Sequence, residues 1–192
     1  TNARPTVLIG VSGQAGLFTE EIVRAMAAGC PRPIIFPLSN PTTHSEATPQ
    51  QLMDWTDGHA LVGTGSPFPP VTSGGVTRKA DQTNNAYIFP GVGLGVIASG
   101  ATRVTDAMFM AAGKALADLS PALADANAPL LPPVADLRQV AIAVAFAVAR
   151  QAQADGVADA LDEETTLERI RGHVWEPRYR AYVKSPPPIY GG

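Results

Sequence analysis

The chain has 192 residues, 45% hydrophobic and 16% charged, with a formal net charge of −3. That is enough chain for one domain with a sizeable core, or for one domain with a trailing segment. Mild acidity and a longest basic run of only Arg78-Lys79 argue against nucleic acid and anionic membrane as partners, and the single Cys30 excludes an internal disulfide framework.

A lone cysteine fits a reducing compartment. The longest apolar run, Val140 to Ala149, is about half of the roughly 20 residues a membrane-spanning helix needs. No charged-then-apolar leader opens the sequence, so the expected location is the cytoplasm. The chain begins Thr1-Asn2-Ala3-Arg4-Pro5 and runs straight into an apolar strand, which reads as a piece cut from a longer protein.

In chain order the first element is a strand over Thr6 to Val11, apolar and β-rich enough to be buried on both faces as parallel strands are. Thr19 caps a helix with Glu20 and Glu21 at its positive end and Ile22, Val23 and Met26 at helical spacing. Pro33 to Leu38 forms the second strand. Thr48-Pro49 opens a short helix through Trp55, with proline at the favoured first position. Ala60 to Thr64 forms the third strand. Helical crossovers imply parallel strands in a right-handed βαβαβ unit.

Ser73-Gly74-Gly75-Val76 reads as a tight turn between short extended pieces. The stretch Pro90 to Ile97 is apolar and fits strand or helix; a helix started by Pro90 is the expectation. Its Gly91 and Gly95 share one face, which would let the helix press closely against the sheet or a cofactor. Further helices are expected over Thr105 to Leu119 and Asp136 to Asp155. The second holds a run alternating with period two, but its length and alanine content favour helix. From Leu161 the chain is charged, with Asp162-Glu163-Glu164 as a solvated helix start. It ends in Trp175, Tyr179, Tyr182 and Pro186 to Pro188. The fold class is therefore α/β, a three-layer, Rossmann-like doubly wound parallel sheet present in part, with added C-terminal helices. Residues 1–160 would form the nucleotide-binding domain, and 161–192 a helix and aromatic, proline-rich tail packing on it.

Three polar tracts, Leu38 to Thr42, Gly63 to Phe68 and Asp81 to Gly91, follow apolar runs and would share one mouth of such a sheet, where small molecules bind. Val11-Ser12-Gly13-Gln14-Ala15-Gly16-Leu17-Phe18 joins strand to helix as a phosphate or ribose loop does. It lacks the third glycine of the dinucleotide fingerprint, and no acidic residue closes the second strand. A loop lining the later half of a cofactor site, or a plain tight connection, suits it better. In Leu38-Ser39-Asn40-Pro41-Thr42 the Asn40 carboxamide can donate and accept together, although Asn-Pro is also a common turn. Gly63 and Gly65 leave no side chain between a ligand and the backbone. Asn84 and Asn85 present two adjacent carboxamides before the glycine-bearing helix, and can equally be read as a capping turn. His44, His59 and His173 show no metal-ligand spacing.

Taken in order, Ile9-Gly10-Val11-Ser12-Gly13, Phe18-Thr19, Arg32-Pro33-Ile34-Ile35-Phe36, Leu38-Ser39-Asn40-Pro41-Thr42, Gly65-Ser66-Pro67-Phe68 and Asn84-Asn85-Ala86-Tyr87-Ile88-Phe89-Pro90-Gly91 resemble malic enzyme. The resemblance spans roughly residues 5–150 and lies in the carboxyl-terminal part of that family's NAD(P)-binding domain. It implies oxidative decarboxylation of (S)-malate to pyruvate and CO2, with NAD or NADP and a divalent metal, Mg2+ or Mn2+. By it, Asn40 and Asn84 would contact malate. Val11, Ser12, Leu17, Ser39, Gly65 and Asn85 would line the nicotinamide half of the cofactor. The family's tyrosine acid, lysine base, substrate arginine, metal carboxylates and pyrophosphate loop have no matching motif here and are expected upstream. This chain would hold no catalytic or metal residue and would be inactive alone, as one wall of a homo-oligomeric enzyme. Another NAD(P)-dependent amino- or hydroxy-acid dehydrogenase, or a non-catalytic nucleotide-binding module, stays open as an alternative.

Overall fold

A computed structural model describes residues 3–125 and 128–179. Four short strands, β1 (Val7–Gly10), β2 (Ile34–Pro37), β3 (Leu61–Thr64) and β6 (Asp81–Gln82), form a sheet in the order β1-β2-β3-β6, all parallel. Two connections are the helices α1 (Glu20–Gly29) and α2 (Pro49–Trp55). The third is an antiparallel hairpin of β4 (Val71–Ser73) and β5 (Val76–Arg78), turning through Gly74 and Gly75. A fourth parallel strand was not among the sequence-based expectations. With two residues, β6 is too short to show any periodicity.

Each crossover helix begins where its side chains dictate. The Thr19 hydroxyl accepts from the Ile22 amide at 3.4 Å. Thr48 and Gln51 close a reciprocal capping box ahead of Pro49. Val23 and Met26 of α1 and Leu52 and Met53 of α2 then pack with Ile35 and Val62 of the sheet into one core.

The second body is helical: α3 (Phe89–Ser99), α4 (Asp106–Ala117), α5 (Leu137–Ala154) and α6 (Glu163–His173). The stretch that fitted strand or helix is thus helix, and so is the alternating run inside α5. α5 is the centre, with Val140, Val144, Val148 and Ala149 buried. α3 lies flush on it: a Cβ at Gly91 would stand 2.6 Å from Val144 Cβ, and one at Gly95 would stand 2.6 Å from the Ala145 carbonyl oxygen. Those glycines serve contact with α5, not with the sheet or a cofactor as the sequence suggested. α6 starts at Asp162, which accepts from the Thr165 amide at 2.8 Å. It buries Ile170 against Ala98, Ala145 and Ala149.

One further expectation needs correction. β1 is not buried on both faces: Val7 and Ile9 are 45% and 57% exposed on the face opposite Leu8, which packs against the sheet–helix core. The tail from Trp175 was expected to pack on the body. The Trp175 carbonyl does accept from Arg138 at 3.5 Å, but Trp175 and Tyr179 are 75% and 103% exposed. Tyr182 and Pro186 to Pro188 lie outside the described residues.

Candidate functional site

Because the four strands are parallel, their carboxyl ends open on one edge, and the loops bearing the candidate residues meet there. Ser12 follows β1, Ser39 and Asn40 follow β2, Gly65 and Ser66 follow β3, and Asn84 and Asn85 follow β6. The ladder carries this order past the strand ends: Leu38 donates to the Gly10 carbonyl at 2.8 Å, Gly65 to Pro37 at 3.2 Å and Thr83 to Thr64 at 2.8 Å.

The β1–α1 and β2–α2 loops are bound together by a residue that sequence reasoning missed. Glu46 is fully buried. Its Oε1 accepts from the Ser12 amide and the Ser12 hydroxyl, both at 2.8 Å, and from the Ser39 hydroxyl at 2.5 Å. The Ser39 hydroxyl in turn accepts from the Gly13 amide at 2.8 Å, and Ser12 Oγ from the Gln14 amide at 3.1 Å. The Gly16 and Phe18 amides donate to the Ser45 and Glu46 carbonyls at 3.2 and 3.0 Å. His44 Nδ1 donates to the Gly13 carbonyl at 2.9 Å. Every one of these loop amides is therefore committed inside the protein, which speaks against the phosphate-loop reading of residues 11–18. Burial alone would raise the Glu46 carboxyl, but hydrogen bonds from Ser39 and Ser12 outweigh it and hold the group at about 2. Its only signal in the sequence is a lone carboxylate between small Ser45 and Ala47.

Val11 and Leu17 flank this clasp as exposed apolar side chains, 78% and 45% accessible. Asn40, joined to Pro41 by a cis peptide bond, accepts from the Ser66 hydroxyl through Oδ1. That contact ties the β2 and β3 ends together. Gly65 has a reason other than ligand access: a Cβ there would collide with the Leu38 carbonyl. Likewise a Cβ at Gly63 would meet Thr83 Oγ1 and the Phe36 ring.

Asn84 accepts from the Ala86 amide at 2.9 Å, so it caps the single 3-10 turn Asn85–Tyr87. Its Nδ2 hydrogens are the part of the side chain left for a ligand. Tyr87, buried, donates to the Pro132 carbonyl at 2.8 Å and pins this turn to the chain entering α5. Burial, with Asp81 nearby, holds the Tyr87 hydroxyl above its ordinary pKa. Asn85 lies at the rim of an apolar groove of about 450 Å³ bordered by Ile88, Phe89, Val92, Val96 and Phe109. Among the described residues, no group of three or more His, Cys, Asp or Glu could hold a metal ion.

Polar loops gathered at the carboxyl edge of a parallel sheet with helical crossovers define a ligand-binding unit of the doubly wound α/β class. A family described as "Malic enzyme, NAD binding domain" matches residues 1–153, and the chain belongs to that family. An NAD-dependent malic enzyme of Acinetobacter baylyi is 56% identical over 185 residues, covering 96% of this chain and 33% of the relative. One from Pseudomonas aeruginosa is 55% identical over 184 residues, with the same two coverages. The chain thus spans about a third of the length of the relatives it matches. Among solved structures, the malic enzyme of Entamoeba histolytica superposes with a TM-score of 0.71 at 26% identity, covering 88% of this chain and 32% of that one. That of Pyrococcus horikoshii Ot3 gives 0.65 at 26% identity, covering 87% and 34%.

Proposed function

We propose that this chain is the carboxyl-terminal part of the nucleotide-binding unit of an NAD-dependent malic enzyme, the whole of which oxidises (S)-malate and releases CO2 to leave pyruvate. The observation that carries the reading is the gathering of Ser12, Ser39, Asn40, Gly65, Asn84 and Asn85 at one sheet edge. The dehydrogenases among its relatives use NAD by name, which supports NAD over NADP. The side chains present suit the nicotinamide riboside half of that cofactor. Exposed apolar Val11 and Leu17 offer contact to a ring, and Asn85 offers a carboxamide beside an apolar groove. NAD supplies the hydride acceptor. Asn40 and Asn84 would orient malate by hydrogen bonds to its hydroxyl or carboxylates.

The described residues do not fit a divalent metal; in this reading its ligands, with the acid and base, come from the remainder of a longer polypeptide. A cytoplasmic homo-oligomer is part of the same proposal. Exposed Phe89, Ile97, Phe109 and Met110 on α3 and α4 support a face that is covered in the assembled enzyme.

The test uses the longer polypeptide. Asn84→Ala is expected chiefly to raise KM for malate, and Asn85→Ala chiefly KM for NAD. Each loss should be about 10- to 150-fold, equivalent to a hydrogen bond of about 1.5–3 kcal/mol to a charged or well-placed group. If both variants kept wild-type kinetics and merely melted earlier, the pair would be a capping turn and the reading would fail.

A further inference from the structure

We propose that Glu46 is a positioning residue for the dinucleotide: an internal anion that fixes the shape and hydrogen-bond polarity of the β1–α1 loop so that it receives the nicotinamide end of the cofactor rather than its phosphates. The proposal rests on the proposed function for the identity of the ligand. It rests on geometry for everything else.

A strand–loop–helix connection ordinarily points its loop amides outward, where they attract phosphate. Here the anion is built in. Three donors, the Ser12 amide, the Ser12 hydroxyl and the Ser39 hydroxyl, converge on the single oxygen Glu46 Oε1. With both hydroxyl hydrogens directed at Glu46, the lone pairs of Ser12 Oγ and Ser39 Oγ accept the next two amides, Gln14 and Gly13. The rotors of both serines are thereby set, and no amide from Ser12 to Gln14 remains to draw a phosphate. The loop instead presents a neutral rim, with Val11 and Leu17 exposed on it.

Space enforces the arrangement. A Cβ at Gly10 would stand 2.6 Å from Glu46 Cδ and 2.6 Å from Phe18 Cζ, so β1 must end in glycine for the carboxylate to reach its place. No cation is needed. A carboxylate that receives several short hydrogen bonds is stabilised by them directly. A glutamine is isosteric but carries no charge, and it would turn an N–H2 toward one of the groups that now donate to Glu46.

The experiment measures NADH binding by fluorescence titration and steady-state malate oxidation in the full-length polypeptide carrying this chain, as wild type, Glu46→Gln and Glu46→Asp. The aspartate keeps the charge but is one methylene too short to reach both serines. It carries the test if the glutamine variant does not fold. The expected result is NADH binding weakened about tenfold or more, KM for NAD raised in step, and kcat at saturating NAD and KM for malate within about twofold of wild type. A residue that merely holds the fold would lower the melting temperature or the active fraction and leave the NADH dissociation constant alone; that result overturns the proposal. Unchanged NADH binding in a folded variant overturns it too, as does a wild type that binds no NADH. A wild type that binds NADH in a Glu46-dependent way but does not oxidise malate upholds the role of Glu46 and defeats the malic enzyme reading separately.

Discussion

Glu46 keeps its charge without solvent, and acid should expose that dependence. Its carboxyl lies at about 2 in the folded chain against an ordinary 4.5. Above 4.5 both folded and unfolded forms are ionised, and the stabilisation is fully present. As pH falls from 4.5 toward about 2, the unfolded chain takes up a proton that the folded one refuses, and the stabilisation is progressively lost. Urea unfolding across that window should therefore show stability falling with acid. The slope should be shallower in Glu46→Gln, and not zero, because Asp155 and Asp162 are also held below their ordinary pKa by hydrogen bonds from threonines. Equal slopes in the two proteins would mean that Glu46 does not titrate there. Residues such as Ser39 and Asn40 were legible in the sequence because a strand followed by Asn-Pro announces a loop end. Glu46 was not. Its meaning depends on two serines 34 and 7 positions away, and no local pattern encodes that convergence.

At the scale of the element, the three glycines of α3, Gly91, Gly93 and Gly95, separate packing from propensity. Gly91 and Gly95 face α5, whereas a Cβ at Gly93 would meet nothing within 4 Å. Gly93→Ala should stabilise the protein by about 1 kcal/mol through helix propensity alone. Gly91→Ala should destabilise it by about 1–3 kcal/mol, since Val144 Cβ and the Ala141 carbonyl occupy the space. Chemical denaturation of the two variants checks the opposite signs, and a gain from both would mean that the helices do not touch there. That α3 is a helix was suggested by Pro90, and the shared face of Gly91 and Gly95 followed from their spacing, whereas their partner, α5, did not. Strand ends were read one residue too long on either side, as at Thr6 and Val11, because apolar character outlasts the hydrogen-bonded ladder. β6 was missed since its two residues, Asp81 and Gln82, are polar and take their strand geometry from β3. Asp81 is tied down further by accepting from the Leu130 amide at 2.6 Å, a contact set by tertiary structure.

For the whole molecule the telling feature is the outer flank of β1. Val7 and Ile9 are half exposed beside a strand edge that pairs with nothing among the described residues, an arrangement that invites another strand. The isolated chain is expected to self-associate through this flank, and Ile9→Lys to weaken the association. Sedimentation velocity over micromolar to millimolar concentration measures it. A clean monomer throughout, for both proteins, would show that the flank needs no cover. The same preparation should fail to oxidise malate with NAD and metal added. Parallel order, helical crossovers and the gathering of loops at one edge could be anticipated from the alternation of apolar runs and helix caps. That one strand of a half-sheet would lack a neighbour follows from reading the chain as part of a larger sheet, but that Val7 and Ile9 would be its exposed side chains does not, since they read as buried whether or not a neighbour is at hand.

The two sides of the proposed site are built with different stiffness. The Asn84–Asn85 turn leads directly into a helix whose glycines leave no slack against α5, so it sits on something like a rigid beam. The loop bearing Val11, Ser12 and Leu17 is tied by backbone hydrogen bonds to residues 45 and 46 and, at Ser12, by the Glu46 carboxylate. Proton uptake therefore reaches the two sides unequally. Protonation of Glu46 would loosen the Ser12 side of the proposed site while the Asn84–Asn85 turn keeps its shape, because one side is fastened in part through a charge and the other through close packing.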